Sequence, residues 1–309
     1  MEMKILMSQT QLKRAHILRN YNEGVISRKT AAESLEMSVR LVTRLSKGVK
    51  EEGEKALIHK NTGRKPIHAL NPEIKIEVLE IRHRKVYDGC NVSHFKDLLE
   101  REHAIRISYN ALYTLLKENG IQSPKKHKHT VKHRRRKRKG LAGELIQIDA
   151  TPYDWFRNGE ILALHGGIDD ATGQITGLYL SQNECLQGYF EITEQTCLNF
   201  GIPLSMYSDK HTIFRSPITD KKKEAGEEAN HTQFGRALAE LGINIIHANS
   251  PQAKGRIERL WETLQSRLPV EFSIKGITTI EAANEFLRDV FIPIFNERFA
   301  VPVEDSLNP

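Results

Sequence analysis

The chain has 309 residues and a mass of 35.3 kDa, enough for a sizeable buried core with one or two smaller domains. Hydrophobic residues make up 39% and charged residues 28%, no run approaches the ~20 apolar residues of a membrane helix, and the three cysteines form no CxxC pair or disulfide framework. The net charge is +7, but segment 125–139 alone holds ten Lys/Arg and no acid, so the rest of the chain sums to −3. A soluble cytoplasmic protein with one strongly cationic stretch is expected, without a secretory signal, because Lys13 and Arg14 break the apolar opening early.

In chain order, Ser8–Asn22 reads as a helix with Leu12, Ile17 and Leu18 near helical spacing. A second helix covers about Ser27–Leu35. After the break at Glu36–Ser38, a third runs through Lys47 with Ser38 as its N-cap. Leu41, Val42 and Leu45 share one face of the third helix, and Arg40, Thr43, Arg44 and Lys47 share the other. An apolar back with a basic, hydroxylic front suits the recognition helix of a helix-turn-helix, whose side chains reach phosphates and base edges. The pattern alone fits an ordinary three-helix bundle with a solvated face equally well.

Gly63-Arg64-Lys65-Pro66 follows as a short basic linker whose extended backbone could enter a minor groove. A second helical module then runs through helix 73–86, helix Ser93–Glu102 with Phe95, Leu98 and Leu99 inward, and a helix capped by Ser108. On that last helix Leu112, Leu115 and Leu116 point inward, and Asn110, Tyr113, Thr114 and Lys117 outward. The cationic run itself, including Arg134, Arg135, Arg136, Lys137, Arg138 and Lys139, is a solvated linker that also suits a polyanion, since cations placed on phosphates release condensed counterions.

Beyond the run the pattern changes to apolar strands alternating with helices, the signature of a mixed α/β sheet. Strands are expected at Glu144–Pro152, Ile161–Ile168, Ile175–Leu180, Pro203–Asp209 and Ile243–His247, with helices at about 187–200 and 231–242 and from the 250s through Arg267. Three carboxylates stand out. Asp149 ends the first strand, Asp209 ends the strand after a crossover helix, and Glu258 sits on the helix after the last strand. Each has a plain alternative: strand ends carry Asp as a turn residue, and Glu258 is spaced i,i+4 from Lys254. Brought together, they form an oxygen-rich cluster that repels itself unless hard cations such as Mg²⁺ or Mn²⁺ bind.

Gln147-Ile-Asp149, Tyr207-Ser-Asp209 and Ser250-Pro-Gln-Ala-Lys-Gly-Arg-Ile-Glu258-Arg resemble the three signature blocks of the retroviral-integrase-like DDE transposases. The continuation Thr263-Leu-Gln-Ser-Arg-Leu268 is similar to bacterial insertion-sequence transposases of the ISNCY type. The resemblance covers roughly 140–300 and extends to the helix-turn-helix N-terminus.

It implies an RNase H-like core and two divalent ions held by Asp149, Asp209 and Glu258, with Asp149 bridging both. Cleavage and strand transfer would act on double-stranded DNA at the terminal inverted repeats and the target, by a homo-oligomer associated with the bacterial nucleoid. Lys254, Arg256 and Arg259 would contact DNA in place of the basic residues that retroviral relatives carry where this chain has Glu262 and Gln265. Forty-eight residues separate Asp209 from Glu258, and Ser216–Asn230 reads as an inserted loop.

The implied domains are two helix-turn-helix units (1–60 and 61–124), a basic linker (125–140), the catalytic core (141–300) and a truncated tail (301–309). The family usually continues past the core into a small β-rich domain, and the short run from Phe295 to Pro309 reads as a truncated copy. The alternative function is therefore a catalytically incompetent, truncated transposase that represses its own element by binding DNA.

Overall fold

The computed structural model describes residues 8–58, 70–124, 137–209, 212–214, 232–247 and 255–302. The chain divides into two compact units, Met1–Leu70 and Asn71–Pro309.

The first unit is helical: α1 (Gln9–Asn22), α2 (Arg28–Ser34) and α3 (Val39–Glu52), followed by a 3₁₀ turn at Gly53–Leu57. Each helix opens on a serine that accepts from a backbone N–H otherwise left without a partner. Ser8 forms a capping box with Gln11, Ser27 accepts from Thr30, and Ser38 accepts from Leu41. Between α2 and α3, Glu36 takes a left-handed conformation (φ 53°) and closes the chain back, its N–H on the Glu33 carbonyl and that of Met37 on Ala32. Ala15, Leu18, Ala31, Ala32, Val42 and Leu57 form the small core. Leu12, expected inward, is 53% exposed; the smaller Ala15 takes the place at the α1 seam.

The second unit begins with α4 (Pro72–Arg82), a 3₁₀ turn (Lys85–Tyr87), α5 (Val92–His103) and α6 (Tyr109–Glu118). Ser108 caps α6 as expected, and Ala104 (φ 56°) makes the turn after α5. Phe95, Leu98, Leu99, Leu112, Leu115 and Leu116 are buried.

The sheet comprises β1 (Ile146–Tyr153), β2 (Leu162–Asp169), β3 (Ile175–Ser181), β4 (Ser205–Ser208) and β5 (Asn244–His247), in the order β3-β2-β1-β4-β5. The first three form an antiparallel meander; β4 runs parallel to β1, and β5 parallel to β4. Pro152 is tolerated in the central strand because β4 pairs only with Ile146 and Gln147, so no ladder needs its missing N–H on that side.

Around the sheet lie α7 (Leu186–Phe200), α8 (Gln233–Glu240), α9 (Gly255–Lys275), α10 (Ile280–Phe286), a π-helical turn at Leu287–Phe291 and α11 (Ile292–Phe299). One core joins Leu164, Ile168, Leu178 and Leu180 to Leu260, Leu264, Phe272 and Phe291. The other joins Ile146, Ile148 and Met206 to Tyr189, Ile192, Phe234 and Leu238. The sheet is thus covered on both faces, which is why β2 is buried at every position. This is the mixed α/β, RNase H-like arrangement expected after a helical N-terminal region.

Candidate active site and nucleic-acid interface

Asp149 and Asp209 are brought level by strand register. Ile146 pairs with Met206 and Gln147 with Tyr207, and the same offset carried two residues further would set Asp149 level with Asp209, just past the end of β4. Both are half-buried. Beneath them lies Tyr189 of α7, whose phenol donates to Glu184 Oε1 at 2.6 Å. Its pKa is raised, first by burial, then by Glu184, and then by the negative charges of Asp149 and Asp209. One buried ring thus senses both aspartates.

Glu258 lies on the first turn of α9 and is exposed. Three hydrogen bonds fix that turn against the sheet. The Ile257 N–H donates to Gln147 Oε1 at 3.3 Å, Arg256 Nε donates to Asp170 Oδ1 at 2.8 Å, and Trp261 Nε1 donates to Asp149 Oδ2 at 3.1 Å. Gln147 also donates to Asp170 Oδ1 at 2.8 Å. Gln147 and Asp170 are fully buried, so the residues flanking Glu258 are tied to β1 and to the β2–β3 turn by satisfied polar contacts. Among the described residues no three His, Cys, Asp or Glu side chains are grouped to hold a metal ion. The structure brings Asp149 level with Asp209 and anchors the helix that carries Glu258 beside Asp149; residues 248–254, which lead into that helix, lie outside the described residues.

Asp169, at the Ile146 end of the β1–β2 ladder, and Asp154, just past its Tyr153 end, serve turns. Asp169 accepts from the Thr172 N–H and hydroxyl, both at 2.7 Å, and Asp154 accepts from the Asn158 and Gly159 N–H groups. Asp170, in the β2–β3 turn, is the anchor for Arg256. Gln147, Asp170 and Trp261 were not legible as site residues. The only available signal was that Gln147 and Trp261 stand beside the signature acids.

His165 of β2 lies opposite Ala150 of β1, next to Asp149. Its Nε2 accepts from the Cys185 N–H at 3.1 Å and its Nδ1 donates to the Tyr179 carbonyl at 3.3 Å. Gly188 makes this possible, because a Cβ there would meet the ring at 2.5 Å. The ring is fully buried, and burial lowers its pKa to about 4; protonation would also set an N–H against the Cys185 N–H. The depressed pKa means that stability from this group is complete above ~6.5, the unfolded value, and is lost as pH falls toward 4. The expected loss across that window is ~3 kcal/mol from this histidine alone. Imidazole NMR titration checks it, and a His165 pKa near 6.5 would refute it.

The candidate DNA-contacting residues divide by setting. On α3, Arg40, Thr43, Arg44 and Lys47 are all exposed opposite buried Val42. The Thr43 hydroxyl donates to the Val39 carbonyl at 3.0 Å, and Lys47 pairs with Glu51 at 3.8 Å. Near the core, Lys137 is exposed, Arg138 donates to the Ala171 carbonyl, and Lys139 pairs with Glu144 at 2.8 Å. Arg259 is exposed, with Nε on the Gly255 carbonyl. Arg256 is turned inward onto buried Asp170, its side chain 14% exposed, so its visible role is to hold α9. Arg64, Lys65, Arg134, Arg135, Arg136 and Lys254 lie outside the described residues.

Among the described residues no helix is long and apolar enough to cross a membrane. No protein-family model matches the chain. It is 37% identical to the transposase for insertion sequence IS1202 of Streptococcus pneumoniae, over 94% of this chain and 68% of that protein. A protein of Sinorhizobium fredii that carries a transposase name is 34% identical over 96% of this chain and 64% of its own length. Among solved structures, a simian T-cell lymphotropic virus intasome chain aligns over 74% of this chain and 72% of its own, at 14% identity and TM-score 0.42. The HTLV-2 integrase catalytic core in complex with magnesium aligns over 47% and 82%, at 16% identity and TM-score 0.34.

The described residues thus combine a five-stranded mixed sheet, helices on both of its faces and helical modules ahead of it. At the identity and coverage found, the chain belongs to the insertion-sequence transposases.

Proposed function

We propose that this chain, as a homo-oligomer, binds the terminal inverted repeats of its own mobile element, cleaves there and transfers the freed 3′ ends into target DNA. The observation that carries the reading is the strand register that sets Asp149 level with Asp209, together with the polar clamp that anchors the helix of Glu258 beside them. A pair of hard carboxylate donors on neighbouring strands suits Mg²⁺ or Mn²⁺. Asp149 would contribute to both of two such ions, and Asp209 and Glu258 would each complete one. When bound, two ions of this kind supply charge for the scissile phosphate, the attacking water and the leaving 3′ oxygen.

The chain's own residues do the rest. The Trp261 contact holds the Asp149 carboxylate, and the Gln147 and Asp170 contacts hold the helix of Glu258, before DNA arrives, so less ordering is left to the reaction step. The basic face of α3, with Arg40, Thr43, Arg44 and Lys47, reads the element ends. The cationic segment 125–139, with Arg64, Lys65, Lys254 and Arg259, tracks phosphates, making affinity strongly salt-dependent. In the first reaction a water oxygen bonds to phosphorus and the 3′ oxygen leaves. In the second that 3′-hydroxyl attacks a target phosphodiester, whose own 3′ oxygen leaves.

Purified full-length chain incubated with labelled DNA carrying the element's ends should nick at the element boundary with Mg²⁺ or Mn²⁺, and not in EDTA. Specific binding to the ends without nicks under either cation would overturn the cleavage reading and leave a DNA-occupying protein.

A further inference from the structure

We propose that Trp261 is a positioning residue for this site, its indole N–H holding the Asp149 carboxylate in the one orientation from which it takes up a divalent cation. The inference rests on the reading of Asp149 as a metal ligand.

Trp261 follows Glu258 by one helical turn on α9, and its Nε1 donates to Asp149 Oδ2 at 3.1 Å. The ring is 6% exposed and belongs to the core that joins α9 to the sheet. It reaches Asp149 by passing directly over Gly166 of β2, the residue paired with Asp149 across the β1–β2 ladder. A Cβ at position 166 would lie 2.6 Å from the indole Cη2, far inside van der Waals contact. Glycine is unfavourable inside a buried strand unless something must come close; here the indole does. The sheet therefore carries a side-chain-free site whose occupant is the ring that bonds the carboxylate.

The chemistry of the donor suits the task. A tryptophan N–H is donor-only and neutral. It takes one lone pair of Oδ2 and so restricts the rotation of the carboxylate without adding a charge of its own. An Arg or Lys in the same place would pair with the carboxylate and compete with the cation. Groups that orient a metal ligand in this way are worth about 10–100-fold in metal affinity or activity when removed. Trp261 also ties two of the proposed ligands together mechanically: the helix that presents Glu258 cannot shift along the sheet without breaking the bond to Asp149.

The experiment uses the full chain with Mg²⁺ and Mn²⁺ as probes and no DNA. Calorimetric titration compares wild type, Asp149→Asn and Trp261→Phe, the last keeping an apolar ring over Gly166 while losing the N–H. Wild type should bind the cation, Asp149→Asn should lose binding, and Trp261→Phe should bind about tenfold or more weakly. It should still unfold cooperatively in EDTA, with a midpoint lowered only modestly by the smaller ring, and its affinity for element-end DNA should stay at the wild-type value.

A second readout requires no tryptophan variant. The chain has two tryptophans, and Trp155 is fully buried with its Nε1 on the Leu162 carbonyl. Mg²⁺ should therefore change the wild-type indole emission through Trp261 and leave the emission of Asp149→Asn unchanged.

If binding is lost in Asp149→Asn but retained at wild-type affinity in folded Trp261→Phe, the positioning role falls and the metal reading stands. Emission that ignores a cation shown calorimetrically to bind has the same meaning. If Asp149→Asn binds the cation as wild type does, the metal reading itself falls and takes the inference with it.

Discussion

Asp149→Asn, Asp209→Asn and Glu258→Gln should each abolish nicking at the element boundary while leaving binding to the element ends intact. Each change is nearly isosteric and removes one negative charge. An amide oxygen is a poor ligand for Mg²⁺ beside a carboxylate, and losing one anion from a site that must gather two dications leaves their charge under-compensated. The fold should tolerate all three. Asp149, expected at a strand end, lies half-buried within β1, which runs on to Tyr153; Asp209 is half-buried just past β4 and Glu258 is exposed; in Asp149→Asn the new amide carbonyl could still accept the Trp261 N–H. The basic face of α3 belongs to a separate compact unit, so end recognition should survive. Nicking on labelled ends, with gel-shift binding to the same DNA, reads both halves of the expectation. Cleavage that persists in any one variant would remove that residue from the proposed triad.

How much of this was legible in the sequence depends on how local the cause is. Ser38 and Ser108 act as caps within three residues of their partners, and the opposed faces of α3 follow from helical spacing alone; both appear as expected. All five strands of the sheet fall within or beside the expected segments, because apolar residues, in runs or in alternation, stand out there between polar turns.

The end of α9 departs from expectation for a tertiary reason. Pro269 forfeits a helical hydrogen bond, and the sequence rule stops the helix near Arg267. The helix instead continues to Lys275, because Leu268, Val270 and Phe272 are buried beyond the proline and their burial outweighs the lost bond. The helices over 280–299 are not among the expected elements. Their stripe of Ala283, Leu287, Phe291 and Phe295 closes one face of the sheet.

Arg256 shows the limit most clearly. The sequence displays a cation beside a signature acid, while the partner that turns it inward, Asp170, lies 86 residues away. The same holds for Trp261 and Asp149, 112 residues apart. Charge and aromaticity are written in the sequence; whether a group faces solvent, substrate or a buried partner is decided by the sheet.

The largest stability effect is expected where α5 meets the core, and Glu271→Ala should expose it. Glu271 is buried on α9, its side chain 2% exposed, and it accepts from His94 Nε2 at 2.9 Å and from Arg101 Nη2. Beside it Asp97 of α5 is held by Arg267 of α9 at 2.9 Å and by Arg298 of α11, and Lys275 reaches Glu102 at 3.1 Å. Within the second unit α5 is thus joined to α9 and α11 by ion pairs that are buried at Glu271 and Asp97.

Burial works to raise the Glu271 pKa, but the hydrogen bonds from His94 and Arg101 outweigh it and hold the carboxyl below the usual range. Burial lowers the pKa of His94, so the neutral ring donates through Nε2. Its unpartnered Nδ1 is then a bare lone pair rather than a stranded N–H.

Removing Glu271 leaves a buried donor on His94 and a half-buried guanidinium without their acceptor. Breaking a buried pair in this way costs about 3–5 kcal/mol, and Glu271→Gln, which keeps one acceptor, should cost less. Denaturant unfolding reads the loss, and amide exchange should show α5 opening first. A Glu271→Ala protein within ~0.5 kcal/mol of wild type, the range of ordinary surface changes, would show that the network fixes geometry without contributing stability.

The pH dependence carries the same sign for both groups. His94 loses stability first as pH falls below ~6.5, because the unfolded chain takes a proton that the native ring resists. The Glu271 contribution persists until the pH drops below the ordinary carboxylate range and is lost as it passes the lowered native pKa. Acid should therefore loosen the helical module from the core in two stages, and only the second should vanish in Glu271→Gln.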